Sequence, residues 1–432
     1  KLKLVLSNCH SLLALSAYCT NPFSIQAMPS TRLLLACIAA TFLQQGSAFL
    51  QPSTVVASAT NTSSNNMSPL ESTSTAVANN YWNRETSSPK QYDASKEIVK
   101  EARIICISDP DDDANKLLYN AENLEGTGAK IIAIGSKTEE FDIQSLIDQK
   151  ANVIFCSHKG SREPLAELLK AIPTIEWVQC RSAGIDFVMS DTFSSSNAIA
   201  TNAKGCFSST LGEYTMMAIA YFAKDLPRLL RQKNDKNWER YCVEEIRGKS
   251  LGIVGYGDIG QSAARLAKAY GMNIKTLRRN PEKSQDDPFV DDVYPSDRES
   301  LNRIMSECDY ILCAAPLTAD TEGLFDKEAF DHAKKDSVFI NVGRGPIVDE
   351  DALIDALKAG NLKGAALDVF AIEPLPVESE LWTLDNVLMS PHNMDATPTF
   401  LHEATELFVE ENLPRFVRGM DLLNPVNKSA GY

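Results

Sequence analysis

A short apolar run, Ser250-Leu-Gly-Ile-Val254, leads without a spacer into Gly255-Tyr-Gly257-Asp258-Ile259-Gly260. Ile259, Ala263, Leu266, Ala267 and Tyr270 then recur at helical spacing. A strand, a glycine-rich turn and a helix in direct succession constrain the fold more than any other stretch of the chain. Gly255 permits the tight turn, Gly257 lets backbone approach a pyrophosphate, and Gly260 lets the helix pack on the strand. The first N–H groups of the helix lack internal partners and present partial positive charge to phosphates. The segment reads as a dinucleotide-binding turn, with Asp258 and Ile259 among its candidate cofactor contacts.

The next strand bears on which dinucleotide. An NAD site places Asp or Glu about 20 residues on, where it holds the ribose 2′-hydroxyl. Here strand Asn273–Leu277 ends in Arg278-Arg279-Asn280, with no carboxylate. A guanidinium grips a 2′-phosphate that a carboxylate would repel. The expected cofactor is NADP(H), with NAD(H) left open, and either Arg278 or Arg279 suffices.

Around this unit, short apolar runs alternate with helical stretches, which argues for α/β layers with parallel sheets. Candidate strands are 103–108, 130–135, 152–156 and 176–180, then 250–254, 273–277, 310–314, 337–342, 364–369 and 386–390. A helix is expected over 164–171, a long one over 208–232, and a closing one over 397–417. The expected fold is two Rossmann-like, doubly wound parallel-sheet domains.

The 432 residues are 44% hydrophobic and 23% charged, a globular composition. The net charge is −15. Residues 1–80 hold only Lys1, Lys3, Arg32 and Glu71 as charged groups, so the acidic excess lies in the rest. An acidic body lacks the footprint of a nucleic-acid binder. No apolar run reaches the roughly 18 residues of a membrane span. None of the ten cysteines forms a C-x-x-C, and several sit inside apolar runs, which reads as buried reduced thiols. The acidic run Asp109–Asp113 precedes a helix and complements its dipole, so no metal site is assigned.

From Met28 the chain reads as an address. Arg32 precedes an apolar core, Leu33 to Leu43, and small residues Gly46-Ser47-Ala48 follow. Ser, Thr, Ala and Asn dominate from Pro52 to Asn80, as in a transit peptide. The junction Ser47-Ala48-Phe49 resembles the bipartite presequence of algae with complex plastids. The expectation is plastid targeting, with secretion or the endomembrane system as the alternative, and residues 1–95 lie outside the fold.

Three further segments stand in order: Asn341-Val342-Gly-Arg344-Gly-Pro-Ile-Val-Asp349, Ala366-Leu-Asp368-Val-Phe-Ala-Ile-Glu373-Pro, and Ser390-Pro391-His392. With the glycine turn, Ser182-Ala183-Gly184-Ile-Asp186, Ala315-Pro316-Leu-Thr318 and Gly431-Tyr432, they resemble the D-isomer-specific 2-hydroxyacid dehydrogenase family from about residue 102 onward. The resemblance implies that Arg344 binds the substrate's carboxylate and keto oxygen. His392 would be the general acid/base, Glu373 its partner, and Asp368 the holder of the nicotinamide carboxamide. Ala315, Pro316 and Val342 would line the cofactor cleft. The chemistry needs these types. A fixed guanidinium stabilises developing alkoxide charge, and an imidazole beside a carboxylate holds its proton near neutrality.

The same resemblance implies a discontinuous substrate domain, residues 96–205 with a returning segment 396–432, around a cofactor domain of residues 206–395. His158, Lys159, Gly160, Ala183 and Gly184 would border the substrate. A homodimer is expected. The acid at 373, where formate dehydrogenases of the superfamily carry Gln, argues against formate. Asn393-Met394-Asp395-Ala396 departs from the small residues many members carry after the histidine. The expected activity is reduction of glyoxylate or hydroxypyruvate with NADPH. A short phosphoglycerate dehydrogenase and a nucleotide-sensing, corepressor-like binding module are the alternatives.

Overall fold

The computed structural model describes residues 92–157 and 160–428. The targeting signals of residues 28–80, together with His158, Lys159 and Gly431-Tyr432, lie outside the described residues.

Two parallel sheets organise the chain. The first holds β1 (Ala102–Ile107), β2 (Ala129–Gly135), β3 (Val153–Cys156), β4 (Trp177–Cys180) and β5 (Ile199–Thr201), in the order β2-β1-β3-β4-β5. Its central strands are mostly apolar, broken only by Arg103 and Gln179, because both faces are covered. Ile105, Ile107, Ile154 and Val178 meet Leu165 and Leu168 of the Arg162–Ala171 helix. On the other face Ile104, Cys106, Phe155 and Trp177 meet Phe408, Leu413 and Phe416 from the end of the chain. Phe155 and Phe408 stack at 4.7 Å. Val99 N donates to Val417 O at 2.9 Å, and Arg418 lies over the ring of Tyr92, inside the segment expected to be presequence.

The second sheet holds β6 (Ser250–Val254), β7 (Asn273–Leu277), β8 (Asp292–Tyr294), β9 (Tyr310–Cys313), β10 (Ser337–Asn341), β11 (Leu362–Leu367) and β12 (Val387–Met389). Its order is β12-β11-β10-β9-β6-β7-β8, parallel throughout. The order reverses between β6 and β9, and that switch point opens a crevice beyond the carboxyl ends of the strands. The Ser208–Ala223 helix covers one face, with Leu211, Ile219 and Phe222 packed among Ile253, Ala263 and Ile340. The chain crosses between the sheets after β5 and again after β12, where Phe207 and Phe400 meet edge to face at 6.0 Å.

The expected 208–232 helix is instead two helices, Ser208–Ala223 and Leu226–Asp235. Asp225 takes φ +50° and caps the second through its carboxylate, which accepts from Arg228 N. Pro227 has no N–H and fits only a first turn, so the break falls just before it. The closing helix is likewise divided: Phe400–Glu406, a π-turn over Leu407–Asn412, then Leu413–Val417 with Pro414 in its first turn. β5 and β8, three residues each and set among polar residues, leave no apolar run in the sequence. Among the described cysteines, Cys242 is exposed and Cys206 half-buried, against the expectation of buried thiols. Burial pushes the Cys308 and Cys313 thiols up to about 12.

Asp309 ties the second sheet together. Its carboxylate accepts from Ser250 N and Oγ at 2.9 Å and from Lys334 Nζ at 2.8 Å. Burial pushes its pKa up, but Lys334 and the Ser250 donors outweigh burial and hold it below the ordinary value. A carboxyl depressed in the folded state stabilises above its unfolded pKa, about 4, and loses that contribution as pH falls through the folded value. Asp309→Asn is therefore expected to lower Tm at pH 7 by several degrees and to show a shallower acid loss below about pH 4. Calorimetric melts from pH 7 to 3 check this; equal Tm at pH 7 refutes it.

Candidate active site

The glycine turn sits at the end of β6. Gly255 has φ +97°, and a β-carbon there would lie 2.5 Å from Ala315 N and 2.7 Å from Ala314 C. Only glycine fits, because the turn rests on the backbone that follows β9. At Gly257 a β-carbon would meet nothing within 4 Å, so that face of the loop is open. Gly257 is the N-cap of the Asp258–Ala269 helix and offers no side chain to its first N–H groups. Ile259 anchors the helix start in the core, and Asp258 pairs with Lys204 at 3.5 Å. The open loop and uncapped helix start fit the pyrophosphate of a dinucleotide.

At the end of β7, Arg278 is half-buried and Arg279 exposed. Arg278 bonds Ser284 Oγ and lies 5.9 Å from the Tyr256 ring centre. Tyr256, inside the glycine turn, donates to Asp287 Oδ2 at 3.0 Å. The nearby Asp287 charge and burial together raise the phenol well above its usual range, with burial the larger cause. Across the switch point, Ala315 and Val342 are buried, and Pro316 O accepts from Thr321 Oγ1 at 2.7 Å.

Arg344 follows β10. Asn341 fixes its loop, accepting from Gly343 N at 3.0 Å and donating to Arg344 O at 3.2 Å. The guanidinium reaches the other domain: Nε and Nη2 both donate to Asp186 Oδ1 at 3.1 Å, and Nη1 donates to Gly343 O at 2.8 Å. It lies so close to Gly184 that a β-carbon there would be 1.6 Å from Nη2.

His392 follows β12 and takes φ +49°. Its Nδ1 lies 2.8 Å from Glu373 Oε2, while Glu373 Oε1 accepts from Phe370 N at 3.0 Å. Asp368, 2% exposed, accepts from Ser390 Oγ at 2.7 Å and Asn393 N at 3.1 Å, so it braces the residues on both sides of His392. Tyr214 stands 3.4 Å from Ser390 Oγ, and burial pushes its phenol up to about 12.

On the side of the first sheet, Ala183 O accepts from Asn202 Nδ2 and Gly184 O from Ser182 Oγ. Gly160 follows His158 and Lys159, both outside the described residues. Ser157, ahead of them, is braced by Asn115 and by Arg181, whose guanidinium pairs with Asp112 at 2.7 Å. That pair absorbs the centre of the acidic run. No group of metal-ligating side chains occurs among the described residues. Of the other histidines, His332 caps a short helix and His402 lies on the closing helix, both exposed.

Residues 216–393 match the family model described as "D-isomer specific 2-hydroxyacid dehydrogenase, NAD binding domain". A glyoxylate/hydroxypyruvate reductase of Arabidopsis thaliana is 30% identical over 264 residues, 60% of this chain and 79% of that one. The chain belongs to the D-isomer-specific 2-hydroxyacid dehydrogenase family. Like its relatives, this family member is an oxidoreductase of the kind that acts on CH–OH groups with a nicotinamide cofactor. A D-3-phosphoglycerate dehydrogenase of Methanocaldococcus jannaschii is 31% identical over 332 residues; the chain spans 59% of that longer relative. A family structure from Xanthobacter autotrophicus, solved with NADPH and MES, superposes with TM-score 0.62 at 25% identity, covering 77% of this chain and 100% of that one.

Asp186 is the site residue that sequence reasoning left without a role. Its signal was its place in Ser182-Ala-Gly-Ile-Asp186, but its partner stands 158 residues away.

Proposed function

We propose that the chain reduces a small 2-oxo acid of the glyoxylate or hydroxypyruvate class to the D-2-hydroxy acid, with NADPH preferred over NADH. The observation that carries this reading is the 2.8 Å pairing of His392 Nδ1 with Glu373 Oε2 at the edge of the sheet that bears the glycine turn. A carboxylate on Nδ1 accepts that proton and leaves Nε2 as the atom that exchanges one with substrate. With Nδ1 so held, Nε2 of His392 is the atom that gives a proton to the carbonyl oxygen in this reading. Arg344 binds the substrate carboxylate and steadies the oxygen on which charge develops. Asp186 and Gly343 fix the plane of its guanidinium in advance, which makes that stabilisation effective. When bound, the nicotinamide supplies the hydride. Asp368 braces the His392 turn, and by the family resemblance it would hold the nicotinamide carboxamide. The substrate rim is assigned to the backbone of Gly160, Ala183 and Gly184, with His158 and Lys159 as further candidate contacts.

The preference for NADPH rests on Arg278 and Arg279 at the end of β7, and the NADPH-bound Xanthobacter relative supports it. The phosphoglycerate dehydrogenase relative favours a second reading, oxidation of a 3-phosphorylated hydroxy acid. Plastid targeting is proposed from residues 28–80. A homodimer is proposed from the exposed apolar residues Leu230, Trp238 and Val243, which belong to one stretch of the cofactor-side chain.

Initial rates of the full chain with glyoxylate, hydroxypyruvate, pyruvate and phenylpyruvate, each with NADPH and NADH, test the reading. Turnover faster with NADPH is expected. Replacing Arg278 and Arg279 together by Ala is expected to raise the NADPH KM about 10–100-fold, the loss of a charged hydrogen bond, with little change for NADH. An unchanged KM removes the phosphate assignment. Tight NADPH binding without turnover of any acid moves the weight to a nucleotide-sensing module.

A further inference from the structure

One acidic side chain outside the His392–Glu373 pair reaches the turn that carries Glu373. The Glu350–Ala359 helix starts just after the Arg344 loop, and Asp349 caps it by accepting from Ala352 N at 3.1 Å. With the cap supplied by Asp349, the half-buried Glu350 carboxylate serves another segment: its Oε1 accepts from Ala371 N at 2.5 Å. Ala371 lies in the turn from Phe370 to Glu373. Phe370 is buried in the core of the second sheet, whereas Ala371, Ile372 and Glu373 are exposed. Packing therefore secures the first residue of the turn and little beyond it. Beneath the turn lies Gly345, where a β-carbon would stand 1.9 Å from Phe370 C and 2.4 Å from Ala371 N. The residue after Arg344 is the floor of the turn, and Glu350 is its tie. The far end of the turn presents Glu373, whose Oε1 accepts from Phe370 N at 3.0 Å and whose Oε2 meets His392 Nδ1 at 2.8 Å.

We propose that Glu350 is a positioning residue of the acid/base pair: its bond from Ala371 N holds the Phe370–Glu373 turn on Gly345, so that the Glu373 carboxylate stays on Nδ1 of His392. A carboxylate binds a backbone N–H more strongly than a neutral acceptor does, and partial burial strengthens the bond further. Without that tie the exposed turn is free to shift, and a displacement of about 1 Å in a positioning group can cost about 100-fold. An acid at a helix start also favours the helix dipole. That role needs the charge, whereas positioning needs an acceptor at this reach. The inference deepens the proposed function and rests on it, since there His392 gives the proton.

Two conservative changes part the roles. Glu350→Gln removes the charge and keeps an acceptor at full reach, whereas Glu350→Asp keeps the charge and withdraws the acceptor by one methylene. Glu350→Ala removes both. The first readout is the nitrogen NMR spectrum of the full chain carrying isotope-labelled histidine, with the His392 signals identified by their loss in His392→Gln. Wild type and Glu350→Gln are expected to hold the proton on Nδ1 at about pH 9, where an ordinary imidazole is neutral. Glu350→Asp and Glu350→Ala are expected to move it in part to Nε2. The second readout is kcat with the 2-oxo acid turned over fastest. It is expected to fall about 10–100-fold in the Asp and Ala variants and to recover most of that in Glu350→Gln, with NADPH affinity unchanged as the control for folding. An unchanged His392 signature in both Glu350→Asp and Glu350→Ala overturns the inference. So does its loss in Glu350→Gln with retention in Glu350→Asp, the pattern of a helix-dipole charge. Failure of the proposed function registers separately: no 2-oxo acid turns over, while the His392 signature still answers to Glu350.

Discussion

His392→Ala is expected to lower kcat by about 10²–10⁴-fold, the usual contribution of a positioned acid or base. NADPH affinity should stay at the wild-type value. The imidazole lies on the turn after β12, while the glycine turn and Arg278 lie at the ends of β6 and β7. Removing the ring takes away the proton donor and leaves the dinucleotide crevice intact. Glu373 then loses one partner but keeps its bond from Phe370 N, so the loop is not released. Fluorescence titration with NADPH alongside steady-state rates checks both halves. A kcat within a few-fold of wild type would remove His392 from the chemistry.

The second large effect comes from a residue with no side chain. Gly184→Ala places a methyl group where Nη2 of Arg344 now stands, 1.6 Å from the built β-carbon. The obstructed atom is the end of a flexible side chain, so the arginine yields and the fold survives. The guanidinium loses its fixed plane against Asp186, and displacement of about 1 Å in a positioning group can cost about 100-fold. The expected result is a fall of that size in kcat/KM, with circular dichroism and NADPH affinity unchanged. Wild-type kcat/KM in this variant would show that Arg344 acts from another position.

Much of the second sheet was legible because most of its strands carry a short, mainly apolar run and the glycine turn marks its first βα unit. β6 and β7 fall where the sequence places them. The break at Asp225 was legible in principle from Pro227, yet the apolar content on both sides read as one helix. β5 and β8 carry three residues each, set among polar ones, so no apolar run marks them. His392 and Glu373 were found because both stand in recognisable segments 19 residues apart. The Arg344–Asp186 contact was not, because it joins loops of different domains and exists only once both sheets are built. The bonding of Asp287 to Tyr256 is of the same kind: a surface acid in the sequence, a fixed partner in the fold.

The two interdomain crossings, touching at Phe207 and Phe400, have a consequence for motion. Any opening of the cleft must bend both strands of chain together, about an axis near those rings. Points beside an axis travel least. His392 and the turn that holds Asp395 belong to the second crossing, and Glu373 and Asp368 are tied to it from the same domain. Arg344 touches Asp186 and Gly184 across the divide, away from the rings, so opening would part that contact. Under the proposed function the His392–Glu373 pair would ride near the pivot, like the pin of a pair of tongs, whereas the grip on the anion would be made afresh each time the jaws meet.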